Sequence, residues 1–374
     1  MILDFTRVLA GPYATAMLAD AGAEVIKVES PEGDDYRHIG PFVDGESALF
    51  EFVNRGKRSI VLDLKTEEGL ETARQLAAKA DVVVENFRPG VADKLGIGYA
   101  DLSAVNPGLV YLSISGFGGA GPSRDRPAYD IIVQAQSGLM SITGDPDGPP
   151  TLIGESIGDV TAGLYGAWAV STALCQRGRS GQGCHIDLAM FDSLLSIMPI
   201  AACRYLATGA VPQRVGNRHP LSTPFGIYRT ADGHAAVAVL NERLFTRLAE
   251  VMGAAELAKD PRFATDSLRT SNEPVLRERI EQWSLRHTTA TVIEQLSASG
   301  IPCSAINSVA EAVDSDQARQ RGLFRDSGGT VRVPEQPAHF SGAPRGRSAR
   351  APRLGEHSAE IMASLNGRIR GERS

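Results

Sequence analysis

The sequence predicts an α/β protein in two parts, a large Rossmann-like domain and a smaller α+β domain. Strand-like and helix-like segments alternate over the first half of the chain, a pattern typical of parallel strands joined by right-handed crossovers. From about Ser222 two short strand-like runs flank a turn, and helical patterns follow them. The chain has 374 residues, which is more than one simple core usually holds and favours two domains.

The predicted helices of the first half carry recognisable end signals. Pro12 suits the first position of one helix, and Gly22 suits its C-terminal stop. Thr66 can cap the next helix, whose apolar residues recur along one face. A third helix is rich in small residues, which allow another backbone to approach closely. We expect strands at 2–5, 25–29, 59–64, 81–87, 109–114 and 185–190, and helices at 12–21, 67–80 and 159–174.

The second half predicts a hairpin followed by helices. Ala231, Asp232 and Gly233 form a turn between two strand-like runs. Residues 334–352 are rich in Pro, Gly, Ser and Arg and indicate an extended connector. We expect strands at 225–230 and 234–240, and helices at 242–252, 275–286, 291–299 and 358–365.

The composition excludes several classes of protein. The net charge is -6, whereas a general nucleic-acid binder is usually basic. The sequence contains neither a secretory signal nor an apolar run of membrane-spanning length. The four cysteines form no CxxC pair and the seven histidines are scattered, which indicates reduced thiols and disfavours a metal site. We expect a cytoplasmic protein that binds no metal, no nucleic acid and no membrane.

Two loops that follow predicted strands are candidates for ligand binding. Residues 6–11 lead into a helix, whose free N–H groups suit a phosphate or another polar group. The alternative interpretation of this loop is an ordinary turn between a strand and a helix. In the second loop Asn86 can hydrogen-bond a ligand amide, Phe87 can stack and Arg88 can meet a phosphate. The alternative there is a turn at the end of a strand with a solvated arginine. Parallel sheets bind ligands at this edge.

Asp159 stands near the start of a predicted helix, after Gly158. The commonest role for such an aspartate is the N-cap. The same position suits a nucleophile, because the positive end of a helix favours the ionised carboxylate that a nucleophile must be. The two interpretations are compatible. Weaker candidates are Tyr129 with Asp130, and the glycine-rich loop 116–119, which follows a strand and could move over a site.

Several stretches together resemble the class III coenzyme A transferase family, which includes formyl-CoA transferases and carnitine CoA-transferases. Five of these stretches occur in the order and at the spacing found in the family, which makes the resemblance strongly specific. The resemblance covers nearly the whole chain. The stretches are 4–12, 22–29, 54–60, the turn 85–90, Gly158 and Asp159 leading into 163–165, and the tail 354–357.

The resemblance implies a fold, a dimer and a set of site residues. It places a large Rossmann-like domain at 1–200, completed by 335–374, a small α+β domain at 220–315, and linkers at 201–219 and 316–334. It implies an interlocked homodimer, no permanently bound cofactor, and coenzyme A thioesters as substrates with a small carboxylic acid. Asp159 matches the catalytic aspartate. The implied coenzyme A contacts are Val8, Leu9, Ala10, Leu62, Lys65, Asn86, Phe87, Arg88 and Lys94.

The resemblance also implies covalent chemistry on Asp159. The carboxylate attacks the thioester of an acyl-CoA donor and forms a mixed anhydride and then an aspartyl-CoA thioester. These covalent intermediates divide one difficult transfer into easier steps. Water must be excluded, and the loop 116–119 is a candidate lid. Ser30 stands where some members have an arginine that contacts coenzyme A. Residues 238–241 replace a glycine run of formyl-CoA transferases, which disfavours strict formyl or oxalyl specificity.

Three other functions remain as alternatives. A 2-methylacyl-CoA racemase shares the implied fold, but Tyr129 and Asp130 stand where racemases have a His-Asp pair, so one general base is missing. A nucleotide-dependent oxidoreductase lacks its G-x-G-x-x-G fingerprint here, although Glu29 ends a second strand. A non-catalytic protein that binds coenzyme A would keep its biological effect without Asp159.

Overall fold

The computed structural model of the chain describes residues 1–342 and 349–365, which divide into two compact units. The first comprises Met1–Met140, Leu152–Ala210 and the described residues from Asp316 onward. The second comprises Ser141–Thr151 and Val211–Ser315. The predicted domain bounds stay a prediction, and parts of the C-terminal segment assigned to the large domain, 343–348 and 366–374, lie outside the described residues.

The strands and helices of the described residues are numbered in chain order. The strands are β1 Ile2–Asp4, β2 Val25–Glu29, β3 Phe42–Val43, β4 Glu46–Ser47, β5 Arg58–Val61, β6 Val82–Glu85, β7 Val110–Ser115, β8 Cys184–Ala189, β9 Phe225–Arg229, β10 His234–Ala238, β11 Cys303–Ala305, β12 Phe324–Asp326 and β13 Arg332–Pro334. The α-helices are α1 Ala10–Asp20, α2 Ala48–Asn54, α3 Glu67–Lys79, α4 Val91–Lys94, α5 Tyr99–Val105, α6 Asp130–Gln136, α7 Leu139–Ile142, α8 Ile157–Ser180, α9 Met190–Ser196, α10 Pro199–Thr208, α11 Glu242–Val251, α12 Asp266–Ser271, α13 Glu273–Ser284, α14 Thr289–Ala298, α15 Val309–Val313, α16 Asp316–Arg321 and α17 Ser358–Leu365.

A parallel sheet of six strands forms the centre of the first unit, in the order β5-β2-β1-β6-β7-β8. The predicted α/β architecture is confirmed. The central strands β1 and β6 are buried along their whole length, which explains why they contain so few polar residues. Helix α17 begins at Ser358 as predicted and packs Ile361 into the same hydrophobic core as Leu3 and Ile26.

Helices α1 and α8 pack closely because small residues line their contact. A side chain on Gly163 would come within 2.9 Å of the Ala10 carbonyl oxygen, and one on Gly166 within 3.4 Å of the Ala14 side chain. The predicted role of these small residues is therefore confirmed. The close contact brings the first turns of the two helices together at the carboxyl edge of the sheet.

Of two predicted helix-start signals, one is confirmed and one is shifted. Thr66 caps α3 as expected, and its hydroxyl accepts a hydrogen bond from the Gly69 N–H at 3.1 Å. Helix α1 begins at Ala10 rather than Pro12, because the preceding loop already directs the chain into the helix. Residues inside the predicted linkers form regular structure, with α10 in the first and α16 in the second.

The second unit contains an antiparallel sheet, in the order β11-β10-β9, with its own hydrophobic core. The predicted hairpin is confirmed by the pairing of His234 with Arg229 across the turn. Phe245 of α11, Trp283 of α13 and Leu296 of α14 are buried in this core.

No single helix of the described ranges is long and apolar enough to cross a membrane. One bent pair, Met190–Ser196 with Pro199–Thr208, meets the requirement by length and composition only.

Candidate active site

The site lies in the first unit, where β1, β6 and β7 reach the carboxyl edge of the sheet. The loops that leave these strands surround a cavity of about 210 Å³. Parallel strands all end at this edge, so residues far apart in sequence meet there. Six of the residues predicted from the sequence line the cavity: Val8, Ala10, Asn86, Phe87, Arg88 and Asp159.

Asp159 is the third residue of α8, and the N-cap is Ser156. The expectation that Asp159 caps the helix is therefore wrong, because the helix begins two residues earlier than its pattern predicts. The carboxylate instead lies near the backbone N–H of Ala10, in the first turn of α1, and both residues line the cavity. The aspartate thus faces the free end of a neighbouring helix.

Burial raises the pKa of Asp159 to about 7, and the negative charge of Asp130 adds to the effect. The hydrogen bond from Ala10 lowers the pKa, but it does not offset the desolvation. The expectation that a helix end keeps this carboxylate fully ionised is therefore corrected. Asp159 is divided between its protonated and ionised forms near neutral pH.

Asp130 is fixed in place by two hydrogen bonds. Its carboxylate accepts one from the Gly158 N–H at 2.7 Å and one from the Gln134 side chain at 2.7 Å. A side chain on Gly158 would come within 3.0 Å of this carboxylate, so the close approach requires glycine. Gln134 also accepts a hydrogen bond from the Ile153 N–H at 3.1 Å. The second carboxylate is thus held rigidly beside the first.

The loop after β1 is fastened to the loop after β6 by one amide side chain. Asn86 accepts a hydrogen bond from the Arg7 N–H at 2.9 Å and donates one to the Arg7 carbonyl at 2.8 Å. Its predicted availability to a ligand is therefore limited, because its side chain is used to position the loop. Arg7 also forms an exposed ion pair with Asp35 at 3.5 Å.

A second cavity of about 170 Å³ lies in the same unit and shares Arg7 and Phe87 with the first. Leu62 and Lys65, both predicted to contact coenzyme A, line it, and so does Ser30. The shared residues make the two cavities neighbours. Among the described residues, the predicted contacts Leu9 and Lys94 line neither cavity.

The glycine-rich loop 116–119 borders the first cavity through Gly116. The Gly118 N–H donates a hydrogen bond to Ser115 at 2.9 Å, and the Gly119 N–H donates one to Asp187 at 2.9 Å. Gly118 has a φ of 83°, which a glycine adopts without strain. The loop is therefore tied to the sheet by two hydrogen bonds.

Sequence reasoning assigned no role to two ionisable groups with raised pKa values near the site, although neither lines the two cavities. Burial raises the pKa of Tyr36 to about 12, and the charges of Asp159 and Asp34 contribute. Burial likewise raises the pKa of Glu85, at the end of β6, to about 7. No local pattern marks Tyr36, since its place near Asp159 arises from the chain path. Glu85 could have been found, because a charged residue directly after three valines is unusual in a buried strand.

The described parts of the chain contain no group of three His, Cys, Asp or Glu side chains that could hold a metal ion. The first cavity combines a buried carboxylate, a free helix end and several arginines. This arrangement suits a negatively charged ligand that reacts with a carboxylate.

Known proteins resemble the chain over nearly its whole length. Residues 1–358 match the model of CoA-transferase family III. The acetyl-CoA:oxalate CoA-transferase of Acetobacter aceti is 43% identical over 365 residues, which cover 96% of this chain and 93% of the relative. The succinate–glutarate CoA-transferase of Agrobacterium fabrum is 42% identical, covering 97% and 94%. A crystal structure of a CAIB/BAIF family protein from Brucella suis has 42% identity and a TM-score of 0.87, covering 97% of each chain.

Proposed function

Since the chain belongs to CoA-transferase family III, we propose that it moves coenzyme A from an acyl-CoA donor to a carboxylic acid through covalent intermediates on Asp159. The observation that carries the proposal is the half-buried carboxylate of Asp159 in the cavity, near the N-terminus of α1. A carboxylate nucleophile needs such a water-poor position, because anhydrides and activated thioesters hydrolyse readily.

The reaction proceeds in four steps, each an attack on a carbonyl carbon. The ionised Asp159 attacks the donor thioester, its C–S bond breaks, and coenzyme A leaves as the thiolate beside a mixed anhydride. The thiolate attacks the aspartyl carbonyl and releases the donor acid, which leaves an aspartyl-CoA thioester. The acceptor carboxylate attacks this thioester, which frees the thiolate again and leaves a mixed anhydride between Asp159 and the acceptor. The thiolate then attacks the acceptor carbonyl, forms the new acyl-CoA and restores Asp159.

The backbone at the start of α1 stabilises charge in these steps. The N–H groups of Ala10 and Gly11 have no partner inside the helix, because they belong to its first turn. Donors held in a water-poor site stabilise a developing oxyanion strongly, since they need no reorganisation during the reaction. The same groups that meet the Asp159 carboxylate can meet the tetrahedral oxygen that replaces it.

We place coenzyme A across the two neighbouring cavities. The thioester lies in the first cavity against Asp159, and the rest of the cofactor continues past Phe87 into the second, where Lys65 can meet a phosphate. Arg88 offers a further positive charge to the phosphates at the first cavity. The proposed contacts are Val8, Leu9, Ala10, Leu62, Lys65, Asn86, Phe87, Arg88 and Lys94.

The first acids to test are short dicarboxylates. The relatives described above are named for oxalate and for succinate with glutarate. A first cavity of about 210 Å³ holds a short acyl group more readily than a large one. The same names do not favour the racemase alternative, since both proteins are called transferases.

We further propose a cytoplasmic homodimer with the domain bounds expected from the sequence. Trp168 of α8 and Leu206 of α10 are 65% and 81% exposed, and large apolar side chains in such positions are typical of protein interfaces. Sedimentation at several protein concentrations tests the dimer.

Peptide mass spectrometry tests the covalent mechanism. The protein is mixed with acetyl-CoA or succinyl-CoA, quenched in acid and digested. We expect an acyl or coenzyme A adduct on the peptide that contains Asp159, and hydroxylamine should convert it to a hydroxamate. Asp159→Asn should abolish the adduct. Glu155→Gln, which removes a carboxylate four residues away, should retain it. An adduct that survives Asp159→Asn would refute the assignment.

A further inference from the structure

A buried ion pair lies beneath the loop that carries the site. Lys27 of β2 and Asp34 are 2.8 Å apart, and their side chains are 0% and 1% exposed. The pKa of Lys27 is raised although burial opposes it, chiefly because Asp34 and Asp4 are close. The pair is therefore charged in the folded protein. The chemistry proposed for Asp159 uses neither residue.

Both members of the pair bind the loop between β1 and α1. Lys27 donates a hydrogen bond to the Thr6 carbonyl at 2.7 Å. Asp34 accepts one from the Val8 N–H at 3.0 Å. The Arg7 backbone between them is held by Asn86. Consecutive backbone groups of this loop are thus held by buried or anchored side chains from outside it.

Val8 has a backbone conformation that needs such support. Its φ is 69°, in the left-handed region, which β-branched residues rarely adopt. A residue in this conformation persists only where its surroundings hold it. The turn at Val8 sets the direction in which α1 begins two residues later, at Ala10. Val8 and Ala10 both line the cavity that contains Asp159.

We propose that Asp34, held in place by Lys27, is a positioning residue for the transfer reaction. Its hydrogen bond to the Val8 N–H keeps the left-handed turn, and the turn places the Ala10 N–H against Asp159. The proposal rests on the assignment of Asp159 as the nucleophile. It assigns to Asp34 no contact with the substrate.

A pair of double variants separates positioning from stability. Lys27→Met with Asp34→Asn removes both buried charges and keeps an oxygen that can accept from Val8. Lys27→Met with Asp34→Leu removes the same charges and also the acceptor. A buried ion pair can often be replaced as a whole without large loss of stability, whereas removal of one partner is costly. Thermal unfolding establishes that both variants are folded before activity is compared.

The proposal predicts different kinetics for two variants of similar stability. We expect kcat to be about tenfold lower with leucine than with asparagine, as for loss of one well-placed hydrogen bond, and KM for acyl-CoA to change less. The acid limb of kcat/KM should move to higher pH with leucine, because the Ala10 N–H no longer stabilises the ionised Asp159. Equal kcat and equal acid limbs would overturn the proposal.

A second measurement decides the matter if the leucine variant does not fold. Glycine adopts a φ of 69° without strain, so Val8→Gly should reduce the dependence on Asp34. We expect Lys27→Met with Asp34→Ala, which removes the acceptor without adding bulk, to lower kcat less in a Val8→Gly background than in the natural chain. Strictly additive effects would contradict the proposal. Activity remaining in Asp159→Asn would refute the nucleophile itself, whereas equal behaviour of the position-34 variants with an inactive Asp159→Asn would refute only the positioning role.

Discussion

The raised pKa of Asp159 predicts that the first chemical step depends on pH across neutrality. Only the ionised carboxylate attacks the thioester. With a pKa of about 7, the ionised fraction is about 9% at pH 6 and about 91% at pH 8. We therefore expect kcat/KM for the acyl-CoA donor to rise about tenfold between these values. An ordinary aspartate would give a flat profile over the same range.

The assay is single-turnover release of coenzyme A, quenched in acid and resolved by chromatography. The phosphate monoester of coenzyme A also titrates near pH 6, so a control must show that the rising limb of the pH profile belongs to the protein. Asp130→Asn provides the assignment. Its neutral amide keeps an acceptor for the Gly158 N–H and removes the charge that raises the pKa of Asp159, so the limb should move to lower pH. A flat profile, or a limb that Asp130→Asn does not move, would refute the reasoning.

Three further predictions concern stability, binding and water exclusion. Asp159→Asn should inactivate the enzyme yet raise its melting temperature. The folded-state pKa of Asp159, about 7, lies above the ordinary 3.8, so the free-energy cost of the carboxylate to the folded state grows from about pH 4 to pH 7 and reaches on the order of 2–4 kcal/mol. Calorimetry at pH 4 and pH 8 should therefore show the gain in melting temperature only at the higher pH. Arg88→Gln should raise KM for acyl-CoA with little change in kcat, and a fall in kcat alone would contradict its role as a phosphate contact. Asp187→Ala should free the Gly119 N–H and raise the ratio of acyl-CoA hydrolysis to transfer, measured with and without acceptor acid, whereas an unchanged ratio would argue against a lid.

The fold was predictable because its signals are local. Hydrophobic runs, turn residues and caps located the six strands of the parallel sheet, and the bounds of β2 and α17 agree with their predictions. Errors concentrate at helix starts. Ser156 and Asp159 are both good N-cap residues three positions apart, and only the packing of α8 against α1 decides between them.

The site was predictable only in part. The resemblance located Asp159 and its two neighbouring loops, and the chemistry of a carboxylate nucleophile followed. Its protonation state could not be derived from sequence, because it depends on burial and on Asp130, which lies 29 residues earlier. The hydrogen bonds of Asn86 to the Arg7 backbone could not be predicted for a similar reason. An amide after a strand can bind a ligand or a loop, and the path of the loop decides.

The burial of Asp159 costs the free enzyme stability but favours the chemistry it performs. A carboxylate in this position has lost much of its hydration, and the Ala10 N–H replaces only part of that loss. In the proposed attack of Asp159 on a thioester, the charge of the carboxylate passes to the thiolate and the half-buried group becomes a neutral anhydride. The step therefore relieves the desolvation that raised the pKa. A fully solvated aspartate would be ionised at every physiological pH, yet it would gain nothing on attack and would expose the anhydride to water. A pKa near 7 places the proposed nucleophile between a fully solvated and a fully desolvated carboxylate. The turn at Val8, which positions the Ala10 N–H, is where the chain can adjust that pKa.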